Sequence, residues 1–258
     1  MITENLPSAN ETTLARSALY GVLALALHNP SHPRFCSFSW QEEIDALREA
    51  IAFVRGTQSG PLEAAVTALA QAAGKTSHEA IRNAYVRLFG HTARGQVPPY
   101  ETEYGTGGPF TQPQEMSDIV GFYRAFGLDV DPVKRERLDH ISCECEFMCF
   151  LCAREVRAVE SNDENTAEAV QRAQRLFLRD HLGAFARTFF ADLSRQPAAP
   201  WHAAIAGLGA RFIDAECERF ELAISPAYLT LRPIEEVAVP MACGSCDGPC
   251  ESGDVQNP

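Results

Sequence analysis

An all-α chain is what the sequence predicts, and three observations predict it. Apolar residues recur at i, i+3, i+4 spacing in nearly every periodic segment, and no stretch alternates convincingly as a half-buried strand would. Capping residues and Gly or Pro stops bracket those segments at helix-sized intervals. The chain has 258 residues, 46% of them hydrophobic, enough for one multi-helix domain with a substantial core.

Taken in order, a first helix is expected from about Glu11 to His28, with Leu14, Ala18, Leu19, Val22, Leu25 and Ala26 recurring on one side. Asn29-Pro30 ends it. A second opens at Ser39, with Glu42 completing a capping-box pattern, and closes near Gly56. After Gly60-Pro61 an Ala-rich helix runs to about Ala73. Thr76 and Glu79 form another capping-box pattern ahead of Ile81, Tyr85, Leu88 and Phe89, and Gly90 stops that helix. Residues 95–113 are dense in Gly, Pro and Tyr and read as a long irregular segment, a feature that in a helical domain points to function or disorder.

A helix from about Gln114 to Phe126 follows, then a short element beginning at Asp131-Pro132. The next starts at Asp139-His140 and reaches about Val159. Residues 161–165 form a polar break. A helical stretch from Thr166 towards Leu193, bent near Gly183, precedes a last helix over about Trp201 to Leu222. This assigns residues 1–232 to one helical domain. Residues 233–258, with five acidic residues and no Lys or Arg, form an acidic Cys/Gly/Pro-containing tail that is expected to be mobile.

Charge and apolar length narrow the function classes. With 34 acidic against 22 basic side chains the net charge is −12, which disfavours nucleic acid and anionic lipid and favours basic partners. The longest apolar stretch, about Ala18 to Leu27, falls short of the roughly 20 residues a membrane span needs. No secretory signal pattern opens the sequence, and nine cysteines read as reduced thiols, so a cytoplasmic location is expected.

The densest chemistry lies in Glu136-Arg137-Leu138-Asp139-His140, which runs into an apolar helix containing Cys143, Cys145, Phe147, Met148, Cys149 and Cys152. Charged side chains are rarely buried without a partner, so this acid–histidine cluster needs one, internal or external. In one reading Asp139 caps the helix and His140 is a satisfied core histidine. In another the two form a general-base pair, although no nucleophile or oxyanion loop accompanies them. In a third the carboxylates receive arginines of a peptide, in the bidentate geometry that guanidinium allows. The four helix cysteines read as core residues. The loop with Tyr100, Glu101, Glu103 and Tyr104 offers stiff, aromatic contact surface.

Tyr85-Val86-Arg87-Leu88-Phe89-Gly90, Pro98-Pro99-Tyr100-Glu101-Thr102-Glu103-Tyr104-Gly105 and Glu136-Arg137-Leu138-Asp139-His140, followed by Glu144-Cys145-Glu146-Phe147-Met148, together resemble the TorD/DmsD/NarJ family of molybdoenzyme maturation chaperones. Phe177-Leu178-Arg179-Asp180-His181-Leu182, with Phe185 and Phe189, resembles that family's C-terminal helices. The resemblance covers roughly Leu14 to Leu222, and its tyrosine loop is most similar to the branch serving type II enzymes of the dimethyl sulfoxide reductase family. It implies an all-helical protein without turnover, which binds a client's twin-arginine signal or unfilled catalytic subunit and holds back export until the molybdenum cofactor is inserted. It also implies a client-binding role for Glu136, Asp139 and His140. Tyr100, Glu101, Glu103 and Tyr104 would adjoin that site, with Tyr85 and Phe89 supporting it. Leu138 stands where family members often carry proline.

The tail supplies Cys243, Cys246 and Cys250 at ligand-like spacing. With Cys217, His202 or Asp247 as a fourth donor they would suit zinc, and with a fourth thiolate an iron–sulfur cluster. A metal-handling protein is therefore the alternative reading. The chaperone reading itself requires no cofactor.

Overall fold

The computed structural model describes residues 8–32, 35, 40–54, 58–90, 94–105, 111–129, 136–196, 198–223 and 229–233. Among these there are helices and three isolated β-bridges, and no strand. The all-α expectation holds. The helices are α1 (Ala9–Leu27), α2 (Trp40–Ile51), α3 (Ser59–Ala73), α4 (His78–Phe89), α5 (Gln112–Ala125), α6 (Ile141–Glu160), α7 (Glu164–Phe177), α8 (Gly183–Ser194) and α9 (Pro200–Arg219). A 3₁₀ turn covers Glu101–Glu103, and Leu178–Leu182 is wound as a π-turn between α7 and α8.

Local chemistry sets the ends. Ser8 accepts from the Glu11 N–H while Glu11 returns a bond to Ser8 N–H, a reciprocal capping box that begins α1. At α4 the cap is Ser77, accepting from Ala80 N–H, and not Thr76 as the spacing suggested. Asp163 caps α7, so the polar break is shorter than expected. The helical stretch expected over 166–193, with a bend near Gly183, carries a π-turn at Leu178–Leu182 just before that glycine. Ser39, the Asp131-Pro132 element and the cysteines of the tail lie outside the described residues.

The helices close into a ring of neighbours: α1 on α6, α6 on α7, α7 through the π-turn to α8, α8 on α9, α9 on α3, α3 on α2, and α2 back on α1. One continuous apolar core fills it, including Leu19, Leu23, Phe147, Met148, Phe177, Phe185, Phe189, Trp201 and Phe212. A Cβ at Gly209 would run into the ring of Phe190, so a bare backbone there lets α9 close on α8.

Inside the ring lies a buried ionic cluster. Arg16 of α1 gives Nε and Nη2 to the two oxygens of Glu216 on α9, each at 2.7 Å, and Nη2 also reaches Gln174 Oε1 on α7 at 2.6 Å. Gln174 and Gln171 donate to Glu155 on α6, whose Oε2 lies 3.6 Å from Arg16 Nη1, and the Tyr20 hydroxyl donates to Glu216. Burial works against the Arg16 charge, and Glu216 more than offsets it, leaving the guanidinium pKa raised.

Candidate functional site

The 98–104 segment is irregular because its prolines cannot donate backbone bonds, yet it is held at several points. Ile141 N–H donates to Pro99 O and Glu101 N–H to Asp139 O, both at 2.8 Å, around an antiparallel bridge between Tyr100 and His140. On its other edge residues 229–233 run antiparallel to it. Gly105 N–H donates to Thr230 O, and Arg232 N–H donates to Glu103 O. The Arg232 guanidinium then clamps Glu115 of α5 at 2.6 and 2.9 Å. A Cβ at Gly105, where φ is +138°, would meet that guanidinium.

The acid–histidine cluster finds its partners within the molecule. Asp139 is wholly buried and accepts from Thr102 N–H (3.2 Å), Thr102 Oγ1 (2.8 Å) and Arg137 Nη2 (2.8 Å), with Arg137 Nε on its second oxygen at 3.0 Å. Arg137 stacks over the Tyr100 ring, 4.2 Å from its centroid, and lies 3.7 Å from Glu103. The N-cap of α6 is His140 and not Asp139: its Nδ1 accepts from Ser142 N–H at 3.1 Å. Burial pushes the His140 pKa down to about 3, with His28 and Arg137 adding to the shift, so the ring stays neutral.

The remaining sequence-chosen residues divide. Glu136 is half-buried and accepts from the Tyr100 hydroxyl at 3.3 Å; burial raises its pKa. Burial, then Glu136, lifts the Tyr100 phenol to about 12. Burial also raises Tyr85, and the next largest effects on it come from Glu136 and Tyr100, which places all three together. Tyr104 is turned inward, its hydroxyl on Pro98 O at 2.8 Å and its ring on Phe185. Phe89 lies in the core against Tyr85 and Phe189. Asp139, His140, Tyr104 and Phe89 are therefore not offered to solvent; they brace the surface that Tyr100, Glu103, Glu136 and Arg137 present.

Glu101 points to the opposite side. Its Oε1 lies 3.1 Å from His181 Nδ1 on the π-turn. Its carboxyl also meets that of Glu144 on α6, which is wholly buried. Neither Glu144 oxygen, nor Glu101 Oε2, has a hydrogen-bond donor among the described residues. Burial first and the Glu101 charge second push Glu144 well above the usual carboxyl range. Above this pair a groove of about 640 Å³ opens between α5 and the π-turn, lined in part by Glu101, Asp118, Phe122, Asp180 and His181.

Sequence reasoning missed Thr102, Arg137, Glu144, His181 and Arg232 as site residues. All but Arg232 stand in quoted motifs, but their partners are distant in sequence: Glu101 and His181 are 80 residues apart. The helix cysteines are free. Cys145 and Cys152 are buried, and burial raises the Cys143 and Cys152 thiols to about 12, which keeps them protonated. His202 and Cys217, considered as zinc donors, are buried on α9. No group of three His, Cys, Asp or Glu side chains among the described residues could hold a metal ion.

Residues 57–203, more than half of the chain, match the family described as nitrate reductase delta subunit, and the chain belongs to that family. It is similar to the perchlorate reductase assembly chaperone protein of Dechloromonas aromatica (strain RCB), with 39% identity over 114 residues, 43% of this chain and 50% of the relative. It is also similar to the selenate reductase assembly chaperone protein of Thauera selenatis (36%) and the chlorate reductase assembly chaperone protein of Ideonella dechloratans (35%), each over 74 residues, 29% of this chain and 37% of the relative. The matched region spans half or less of each relative's own length.

Proposed function

We propose that this protein is a cytoplasmic assembly chaperone for the catalytic subunit of a molybdenum-dependent reductase of the dimethyl sulfoxide reductase type. It binds the immature subunit, including an N-terminal twin-arginine segment, and releases it once the molybdenum cofactor is in place. It works by binding rather than turnover and requires no cofactor of its own. The observation that carries this reading is the naming of three separate relatives as assembly chaperones of oxyanion reductases. No helix among the described residues is long and apolar enough to cross a membrane.

The geometry supports the reading in a specific way. A recognition surface must hold its shape before the partner arrives, because ordering a loop on binding costs affinity. Here Asp139, Thr102 and Arg137 lock the loop from below, and Arg232 locks it from the side. At physiological salt, charge is screened within about 8 Å, so the local carboxylates matter more than the overall −12.

Purification of the tagged full chain from its own cells tests the proposal. A molybdoenzyme catalytic subunit lacking its cofactor is expected to co-purify. Calorimetry with a synthetic twin-arginine peptide is expected to give saturable heat that falls when both arginines become lysines. A preparation that brings down no reductase subunit would overturn the chaperone reading.

A further inference from the structure

The groove between α5 and the π-turn shares Glu101 and Glu115 with the braced loop, and its chemistry is uneven. Glu115 is taken by Arg232, and Asp180 is paired with its neighbour Arg179. Asp118 is exposed, and its recorded bond is from the neutral amide of Gln114 at 2.8 Å. Glu101 closes the inner end, backed by the wholly buried Glu144 carboxyl that has no donor of its own. The half-buried ring of Phe122 lines the same groove and rests on Phe177 and His181.

We propose that this groove seats an arginine side chain of the client segment, with Asp118 and Glu101 facing the guanidinium and Phe122 beneath its stem. The inference rests on the chaperone reading and deepens it by placing the cation contact away from Asp139. Charge complementarity selects the occupant. A guanidinium carries five donors in a planar fork, is weakly hydrated and stacks on aromatic faces, whereas an ammonium is compact and strongly hydrated. Two carboxylates flanking a phenyl ring match the first better than the second. A cation at Glu101 offsets the charge that adds to the Glu144 shift, while burial still keeps the Glu144 carboxyl protonated. The titratable groups facing the pair are Asp139 and Cys143, with Tyr123 from α5 and His181 from the π-turn.

The test uses the full chain and two probes: N-acetyl-arginine amide, and a synthetic peptide of two arginines followed by leucines. Amide and side-chain NMR shifts at Asp118, Phe122 and His181 are expected to move with both. Asp118→Asn is expected to weaken the peptide about tenfold, equivalent to about 1.4 kcal/mol, while Asp45→Asn on α2 leaves binding unchanged. Peptide binding with shifts elsewhere and full affinity in Asp118→Asn overturns the groove and leaves the chaperone reading standing. Absence of any groove shift with either probe also overturns it, whatever co-purifies from cells.

Discussion

The acidic pairs Glu155–Glu216 and Glu101–Glu144 are treated in opposite ways by this molecule. Glu155 and Glu216 sit inside the helical ring with Arg16 between them and with Gln171, Gln174 and Tyr20 as further donors. Glu101 and Glu144 sit under the groove with a histidine on one flank and no cation between them. The first pair and its partners come from four helices, α1, α6, α7 and α9, so its bonds form only when the ring closes. The second leaves hydrogen-bonding capacity unused on the side where a groove begins. A satisfied buried network belongs to the scaffold; an unsatisfied one beside a cavity is a feature that stability alone does not explain.

The contrast is broken most directly at Arg16. Arg16→Ala leaves two carboxylates without their cation and is expected to lower unfolding free energy by about 3–5 kcal/mol, measured by urea denaturation. Replacing Arg16 and Glu216 together by Met and Leu is expected to recover most of that loss, since the cost lies in the uncompensated charge.

Acid stability separates the two sides of α6 next. His140 is neutral when folded and has a pKa of about 3, below the ordinary value of 6.5. The unfolded chain therefore binds the extra proton between those values, and stability falls as pH drops through that window, by up to about 1.4 kcal/mol per pH unit. His140→Asn keeps an N-cap acceptor and removes the titration, so its stability curve is expected to be flatter from pH 6.5 to 3.

Thr102→Val removes one hydroxyl that bridges Asp139 and Arg137 and is expected to cost about 1–3 kcal/mol, with weaker peptide binding as the loop loosens. The smallest effect has the opposite sign. Glu144 has a raised pKa when folded, so its contribution is complete below the ordinary carboxyl value of 4.5 and is lost as pH rises towards the folded value. Glu144→Gln supplies an amide donor to Glu101 and is expected to stabilise the protein by about 1 kcal/mol at pH 8, with no gain at pH 4. A gain that does not depend on pH would show that the folded protein does not hold the Glu144 carboxyl protonated.

Much of this was legible in residue order. Helical periodicity located the long helices to within a few residues, because their apolar faces repeat locally. The tyrosine loop and the Asp139-His140 start were identified as a linked functional region, and the structure joins them through Pro99, Tyr100 and Thr102. The direction of the side chains was not legible. In sequence, Asp139 and His140 could be recognition groups or core residues; they face inward, since Thr102, 37 residues from Asp139, and Arg137 take the Asp139 carboxylate and Ser142 takes the His140 Nδ1. The cap of α4 was not legible either: Thr76 with Glu79 matches the capping-box spacing, yet Ser77, one residue on, takes that place.

What the sequence determined by itself was the class of the molecule. Apolar spacing, caps and breakers act over three to seven residues, and they suffice to make this chain helical and to mark its irregular loop. What only the tertiary structure decided was the pairing of charges: Arg16 with Glu216 across 200 residues, Glu101 with His181 across 80, Arg232 with Glu115 across 117. Whether a carboxylate is a strut or an open contact depends on which donor lies within about 3 Å of it. That distance is set by how whole helices pack, not by the residue's neighbours in the chain.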